Sequence, residues 1–213
     1  MAISLGEPTT AKAVRQWVER NNHATDRFRA IAEQYESHRK EHGCYDVYPY
    51  PNGQLLGALA ASHRARRLLE VGCGLGYSGC WLLHGAGAGA TLDTIEVNDD
   101  HARIAGEHFR CEGFGDRIII LAGRASIVLP GLNPSYDIIY FDTDPAESLP
   151  SLDHFTRLLK PGGLLISTNL FLGQYAPDLP GLEKTAAYRM RILDAGQWFT
   201  AYLADGTALS IRR

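Results

Sequence analysis

The chain has 213 residues, 45% of them apolar, with 21 basic and 24 acidic side chains and a net charge of −3. This predicts one ordinary domain with a sizeable core, and the lack of any block of like charge argues against a nucleic-acid groove. Cys44, Cys73, Cys80 and Cys111 form no C-x-x-C pair, no apolar run follows Met1 and none is long enough to span a bilayer, so the expectation is a cytoplasmic protein without disulfides, zinc or a membrane anchor.

Residues 10–41 read as one helix with Phe28, Ile31, Ala32 and Tyr35 on one face. The aromatic and proline segment 45–51 ends it. Residues 52–63 read as a helix carrying Leu55, Leu56 and Leu59, followed by a strand at 67–72 and a helix over 77–84. The next strand, 91–97, has Glu96 at its carboxyl end. Asn98 is placed to cap a helix whose first turn holds Asp99 and Asp100, where negative charge suits the dipole. That helix carries Ile104, Ala105 and Phe109 and stops near residues 113–115. Residues 118–121 form a wholly apolar strand of the parallel-sheet kind. A short helix at 125–130, a strand at 136–142 ending in Asp142, and a helix at 147–159 follow. Pro161-Gly162-Gly163 turns into a strand at 164–168. A loop with prolines and glycines (170–181) leads to a helix at 182–195 with Leu182, Ala186 and Leu193 as its core stripe. Residues 198–203 and 207–211 read as a hairpin about Asp205-Gly206. Strands alternating with helices, then a terminal hairpin, predict an α/β fold with a doubly wound, mostly parallel sheet and one antiparallel strand.

The segment Leu68-Leu69-Glu70-Val71-Gly72-Cys73-Gly74-Leu75-Gly76-Tyr77-Ser78 carries the strongest functional signal. A strand runs into glycines at alternate positions, where the backbone must pass close to a ligand. A dinucleotide site wants G-x-G-x-x-G, but here the third glycine comes one residue early and Tyr77 stands in its place. No Lys-Ser/Thr follows, which excludes a P-loop. Glu70 just before the first glycine would repel a pyrophosphate and suits a ligand with a positive amino group. Glu96, 24 residues after Gly72, is spaced to accept hydrogen bonds from a ribose diol. Glu70, Glu96, Asp142 and Asn169 all fall at expected carboxyl ends of strands, where such sheets bind ligands.

These segments, with Asn52-Gly53-Gln54-Leu55, Leu121-Ala122-Gly123-Arg124-Ala125, YDIIYFD (136–142), LLKPGGLLISTN (158–169) and LADGTALSIRR (203–213), resemble the class I S-adenosylmethionine-dependent methyltransferases, and among them the catechol and caffeoyl-CoA O-methyltransferases. The resemblance runs from about residue 45 to the end and implies a Rossmann-like seven-stranded mixed sheet with a C-terminal antiparallel hairpin. It implies S-adenosylmethionine as cofactor, a small-molecule acceptor and a homodimer. Residues 45–213 would be the cofactor-binding domain, with 1–44 a helical segment packed on it or on a partner. Glu70, Gly72 and Gly74 would hold the methionine part, with Tyr77 and Ser78 at the same end. Glu96 would bind the ribose, Arg124 and Ala125 would flank the adenine, and Tyr48 and Asp144 would contact the cofactor. Magnesium in such enzymes is held by two aspartates and an asparagine, matched here by Asp142, Thr168 and Asn169.

Two positions depart from that pattern. Thr168 replaces a carboxylate, which removes attraction of order 4 kcal/mol at ~4 Å and an effective dielectric of ~20. Pro145 stands where a lysine helps deprotonate the acceptor. The candidate bases left are Asp142 and Asp144, and weak or absent metal dependence is expected. A neutral amine acceptor, or a chain that binds the cofactor without transferring its methyl group, are the alternatives. Tyr45, Tyr48, Tyr50 and Tyr175 are candidates to stack on a flat acceptor, and the eight histidines show no ligand spacing.

Overall fold

The computed structural model describes residues 10–43 and 47–213. Tyr45, Cys44 and the expected boundary at residues 44–45 lie outside them. Seven strands, β1 (Arg67–Val71), β2 (Thr91–Glu96), β3 (Ile118–Ala122), β4 (Tyr136–Phe141), β5 (Leu159–Ser167), β6 (Trp198–Tyr202) and β7 (Ala208–Arg212), form one sheet. Their order is β3-β2-β1-β4-β5-β7-β6, and β7 alone points opposite to the other six. This is the doubly wound arrangement expected from the alternation of elements.

Among the described residues eight α-helices pack around the sheet: α1 (Ala11–Thr25), α2 (Arg29–His42), α3 (Gly53–Ser62), α4 (Tyr77–Ala86), α5 (Asp99–Cys111), α6 (Ala125–Val128), α7 (Pro145–Leu158) and α8 (Leu182–Ile192). Alternation along each strand splits the core in two. Leu68, Leu92, Ile138 and Ile166 face α2 to α5 on one side. Leu69, Ile95, Ile139 and Leu165 face α6 to α8 on the other. α3 and α4 touch backbone to backbone, since a Cβ at Gly85 would lie 1.9 Å from the Gly57 carbonyl oxygen.

Four local expectations are corrected. The helix expected over 10–41 breaks between α1 and α2 because the Asp26 carboxylate accepts the Phe28 N–H at 2.8 Å, competing with the helical bond. α7 begins at Pro145, earlier than expected, because Asp144 caps it by accepting the Ala146 N–H at 2.8 Å and proline suits the first helical position. α8 buries Thr185, Tyr188 and Ile192, which leaves Leu193 exposed. β3 is an edge strand, so its apolar run is only half covered and Ile119 is 60% exposed. By contrast Asn98 caps α5 as its sequence position implied, accepting the Asp100 and His101 N–H groups. Among the described residues no helix is long and apolar enough to cross a membrane.

Candidate functional site

The strand order reverses between β1 and β4, which opens a crevice at their carboxyl ends. Gly72 leaves β1 with φ +93°, and a Cβ there would lie 1.8 Å from the Asp142 carbonyl oxygen. Only glycine lets the ends of β1 and β4 meet; the Asp142 N–H then donates to the Val71 carbonyl at 2.9 Å. The result is a cradle whose floor is bare backbone, with an acid at the end of each flanking strand.

Side chains from three elements bond to the glycine turn. Glu96 Oε2 accepts from the N–H groups of Cys73 (3.1 Å) and Gly74 (2.8 Å), while its Oε1 accepts from Asn98 N–H at 2.9 Å. The Tyr35 hydroxyl on α2 accepts the Leu75 N–H at 2.8 Å. His108 on α5 places Nδ1 2.7 Å from the Leu75 carbonyl. Beneath the turn Glu70 is fully buried and accepts hydroxyl bonds from Ser78 and Thr94, each at 2.6 Å. Burial pushes its carboxyl up to about 7 against the pull of those two bonds. Both Glu70 oxygens are thus engaged in tying β1 to β2 and to the first turn of α4, and Ser78 is engaged with them. The Tyr77 ring is 3% exposed and its hydroxyl donates to Asp26 at 2.8 Å, toward the α1–α2 junction and away from the crevice.

A narrow cleft of about 110 Å³ opens beside the cradle, lined by Gly72, Glu96, Val97, Arg124, Ala125 and Asp144 among others. Glu147 closes its far wall. One of its oxygens receives Arg124 Nη2 (2.8 Å) and Nε (3.1 Å), and the other accepts the Ser126 N–H at 3.0 Å. Sequence reasoning missed Glu147, since nothing in its spacing marks a helix residue that caps another helix. Tyr48 lies outside this lining; it is 62% exposed beneath the Arg39 guanidinium, 4.7 Å from its ring centre. Its neighbour Val47 rests against Gly74, so the 47–50 segment still crosses the turn.

At the ends of β4 and β5 the structure brings Asp142, Thr168 and Asn169 together. Asp142 Oδ2 accepts the Tyr140 hydroxyl at 2.8 Å and Oδ1 accepts Asn169 Nδ2 at 2.5 Å. The Thr168 hydroxyl donates to the Phe141 carbonyl at 3.2 Å. Burial raises the Asp142 carboxyl above its ordinary range, opposed by its bonds to Tyr140 and Thr168. These three residues do not fit a divalent cation. They offer a single anion, both of whose oxygens accept hydrogen bonds within the protein, where the family pattern supplies two carboxylates to hold the ion. No group of three or more His, Cys, Asp or Glu side chains suited to a metal occurs among the described residues.

Two further features were not legible in the sequence. His38 and His101 are both buried, with their Nε2 atoms 3.1 Å apart and His101 Nδ1 3.8 Å from Glu96 Oε1. Burial and the neighbouring His101 hold His38 below its usual pKa. A larger cleft, about 590 Å³, lies beyond β5 under the β6–β7 turn and is lined by Phe171, Tyr175, Leu182, Arg189, Tyr202 and Asp205 among others. Tyr50, buried, bonds to Asp205 (3.1 Å) and Thr207 (3.2 Å), and its ring stands edge-on to Tyr140 at 6.1 Å. This places the hairpin turn and the larger cleft beside Asp142.

Residues 69–169 match a protein family described as a methyltransferase domain. A Mycobacterium sp. (strain JLS) protein, provisionally named an O-methyltransferase, is 41% identical over 128 residues, 59% of this chain and 58% of that one. A Mycolicibacterium vanbaalenii protein of the same provisional name is 39% identical over 137 residues, 63% of this chain and 61% of its own. The alignments thus span about three fifths of these relatives. The O-methyltransferase TomG of Streptomyces achromogenes, involved in tomaymycin synthesis and solved with S-adenosylmethionine, superposes with a TM-score of 0.75 at 24% identity, covering 92% of this chain and 95% of that one. A Bacillus cereus O-methyltransferase solved with S-adenosylhomocysteine gives 0.75 at 21% identity, over 92% and 97% of the two chains.

Proposed function

We propose, from the match of residues 69–169 to a methyltransferase-domain family and from a fold shared with solved methyltransferases, that the protein belongs to that family and moves a methyl group from S-adenosylmethionine to a hydroxyl of a small molecule. The observation that carries this is the bare-backbone cradle at Gly72 with Glu96 and Asp142 at its two sides. S-Adenosylmethionine supplies an electrophilic methyl group on a sulfonium. Glu96 accepts the ribose diol, and Gly72 and Gly74 let the methionine tail approach the backbone. Glu70 contributes rigidity from below, with Ser78 and the backbone of Tyr77 completing that end. Arg124, Ala125 and Asp144 border the adenine in the narrow cleft, and Tyr48 covers the turn.

Asp142 is the base. Its burial makes it a stronger acceptor of protons than a free carboxylate. Tyr140 holds Oδ2, so the acceptor hydroxyl meets Oδ1 in exchange for Asn169. The oxygen–carbon bond forms as the carbon–sulfur bond breaks, the hydroxyl proton passes to Asp142, and the donor leaves as a thioether. Asp144 is occupied as the cap of α7, which makes it the lesser candidate. No step needs a metal. We place the protein in the cytoplasm as a homodimer, with residues 45–213 as the catalytic unit. α1, which buries none of its residues, is the face a second copy covers.

The test is transfer of a radiolabelled methyl group to a panel of hydroxylated aromatics, with the product identified by mass spectrometry. Methylated oxygen is expected. Transfer confined to amines, or donor binding with no product on any acceptor, would overturn the assignment.

A further inference from the structure

The larger cleft holds a cation that the fold does not use up. Arg189, on α8, donates to the Leu170 carbonyl, and its guanidinium lies over the Phe171 ring at 4.6 Å. Among the described residues it has no carboxylate at ion-pair distance. Asp205, the acid that lines the cleft among the described residues, is engaged elsewhere: Oδ2 accepts from Tyr50 and Oδ1 from the Thr207 N–H at 2.9 Å. Around Arg189 stand Phe171, Tyr175 and Tyr202, with Phe171 and Tyr202 edge to face at 5.9 Å. A planar guanidinium held on an aromatic face presents its free N–H groups as a fork, a geometry that matches a carboxylate and not a neutral group. At about 590 Å³ the cleft has room for a ring system with a substituent.

We propose that the acceptor is an aromatic acid whose ring lies among Phe171, Tyr175 and Tyr202 and whose carboxylate is read by Arg189. This rests on the methyltransferase reading for the fate of the hydroxyl, but binding alone tests it. Arg189 is then a specificity-determining residue. The cleft reaches Asp142 through Asp205, Tyr50 and Tyr140, so a ring held by its anionic end at Arg189 can turn its hydroxyl toward the base.

Dihydroxybenzoate and dihydroxybenzamide differ only in that charge, and their affinities are measured by calorimetry with and without S-adenosylhomocysteine. The acid is expected to bind tighter by about tenfold or more. Arg189→Gln should abolish that preference while leaving amide affinity within about twofold, and Arg189→Lys should keep part of it. Equal affinity for acid and amide in the wild type, or a preference that survives in Arg189→Gln, overturns the proposal. If Arg189→Gln fails to fold, the wild-type ratio and its Arg189→Lys value decide. Failure of S-adenosylhomocysteine to bind would overturn methyl transfer without touching the acid-to-amide ratio, so the two failures are distinct.

Discussion

Replacing Glu70 by Gln should make the protein more stable at alkaline pH. Glu70 is fully buried, and its carboxyl is pushed from an ordinary 4.5 up to about 7. The native state therefore holds a proton that the unfolded chain has lost between those two values. With more protons on the native side, stability falls as pH rises through that window. The shift is worth about 3 kcal/mol once pH exceeds 7. Glutamine keeps the shape and cannot ionise, and the Ser78 or Thr94 hydroxyl can turn to accept its N–H. Urea unfolding of both proteins at a series of pH values from 4 to 9 reads the difference. His38 pulls the other way below its ordinary 6.5, because its lowered value makes protonation costly in the native state. That contribution is common to both proteins and cancels. A wild-type-minus-variant difference that stays flat across the window would show that Glu70 is not the strained acid described above.

The remaining predictions concern the crevice. Gly72→Ala places a Cβ against the Asp142 carbonyl at a φ of +93°, and a loss of about 3 kcal/mol or more in thermal unfolding is expected, with an unchanged midpoint contradicting the cradle. Asp142→Asn should lower kcat by about 10²-fold or more with little change in donor affinity, as expected for loss of a base; an unaltered kcat removes Asp142 from that role. Turnover should be the same in EDTA and in added magnesium, and recovery of activity only with magnesium would mean that Asp142, Thr168 and Asn169 rearrange into a site the structure does not show.

Elements whose identity is local were legible in the sequence. Asn98 before two aspartates could hardly be other than a cap, Asp205-Gly206 turns the terminal hairpin, and Gly72-x-Gly74 marks the crevice. What was missed depends on pairs distant in the chain. Asp26 breaks a helix partly because Tyr77, 51 positions later, also bonds to it. Glu147 caps α6 and holds Arg124 from 23 positions away. Leu193 looks like core by type, but the register of α8 is set by Tyr188 bonding to Ser167 across the layer at 2.6 Å. The direction of the Tyr77 side chain was illegible for the same reason: adjacency to the glycine turn does not say that its hydroxyl bonds to Asp26. Arg189 carried no signal at all until β5 and the hairpin were folded beside it.

The central claim is that Glu96 grips the ribose of S-adenosylmethionine above the Gly72 cradle, and the most direct measurement is calorimetric titration of that donor into wild type and Glu96→Ala. One saturable site per chain is expected, weakened in the variant by about 1.5–3 kcal/mol as a charged acceptor is lost. Folded wild-type protein that takes up no donor, or a variant that binds it equally well, would contradict the account.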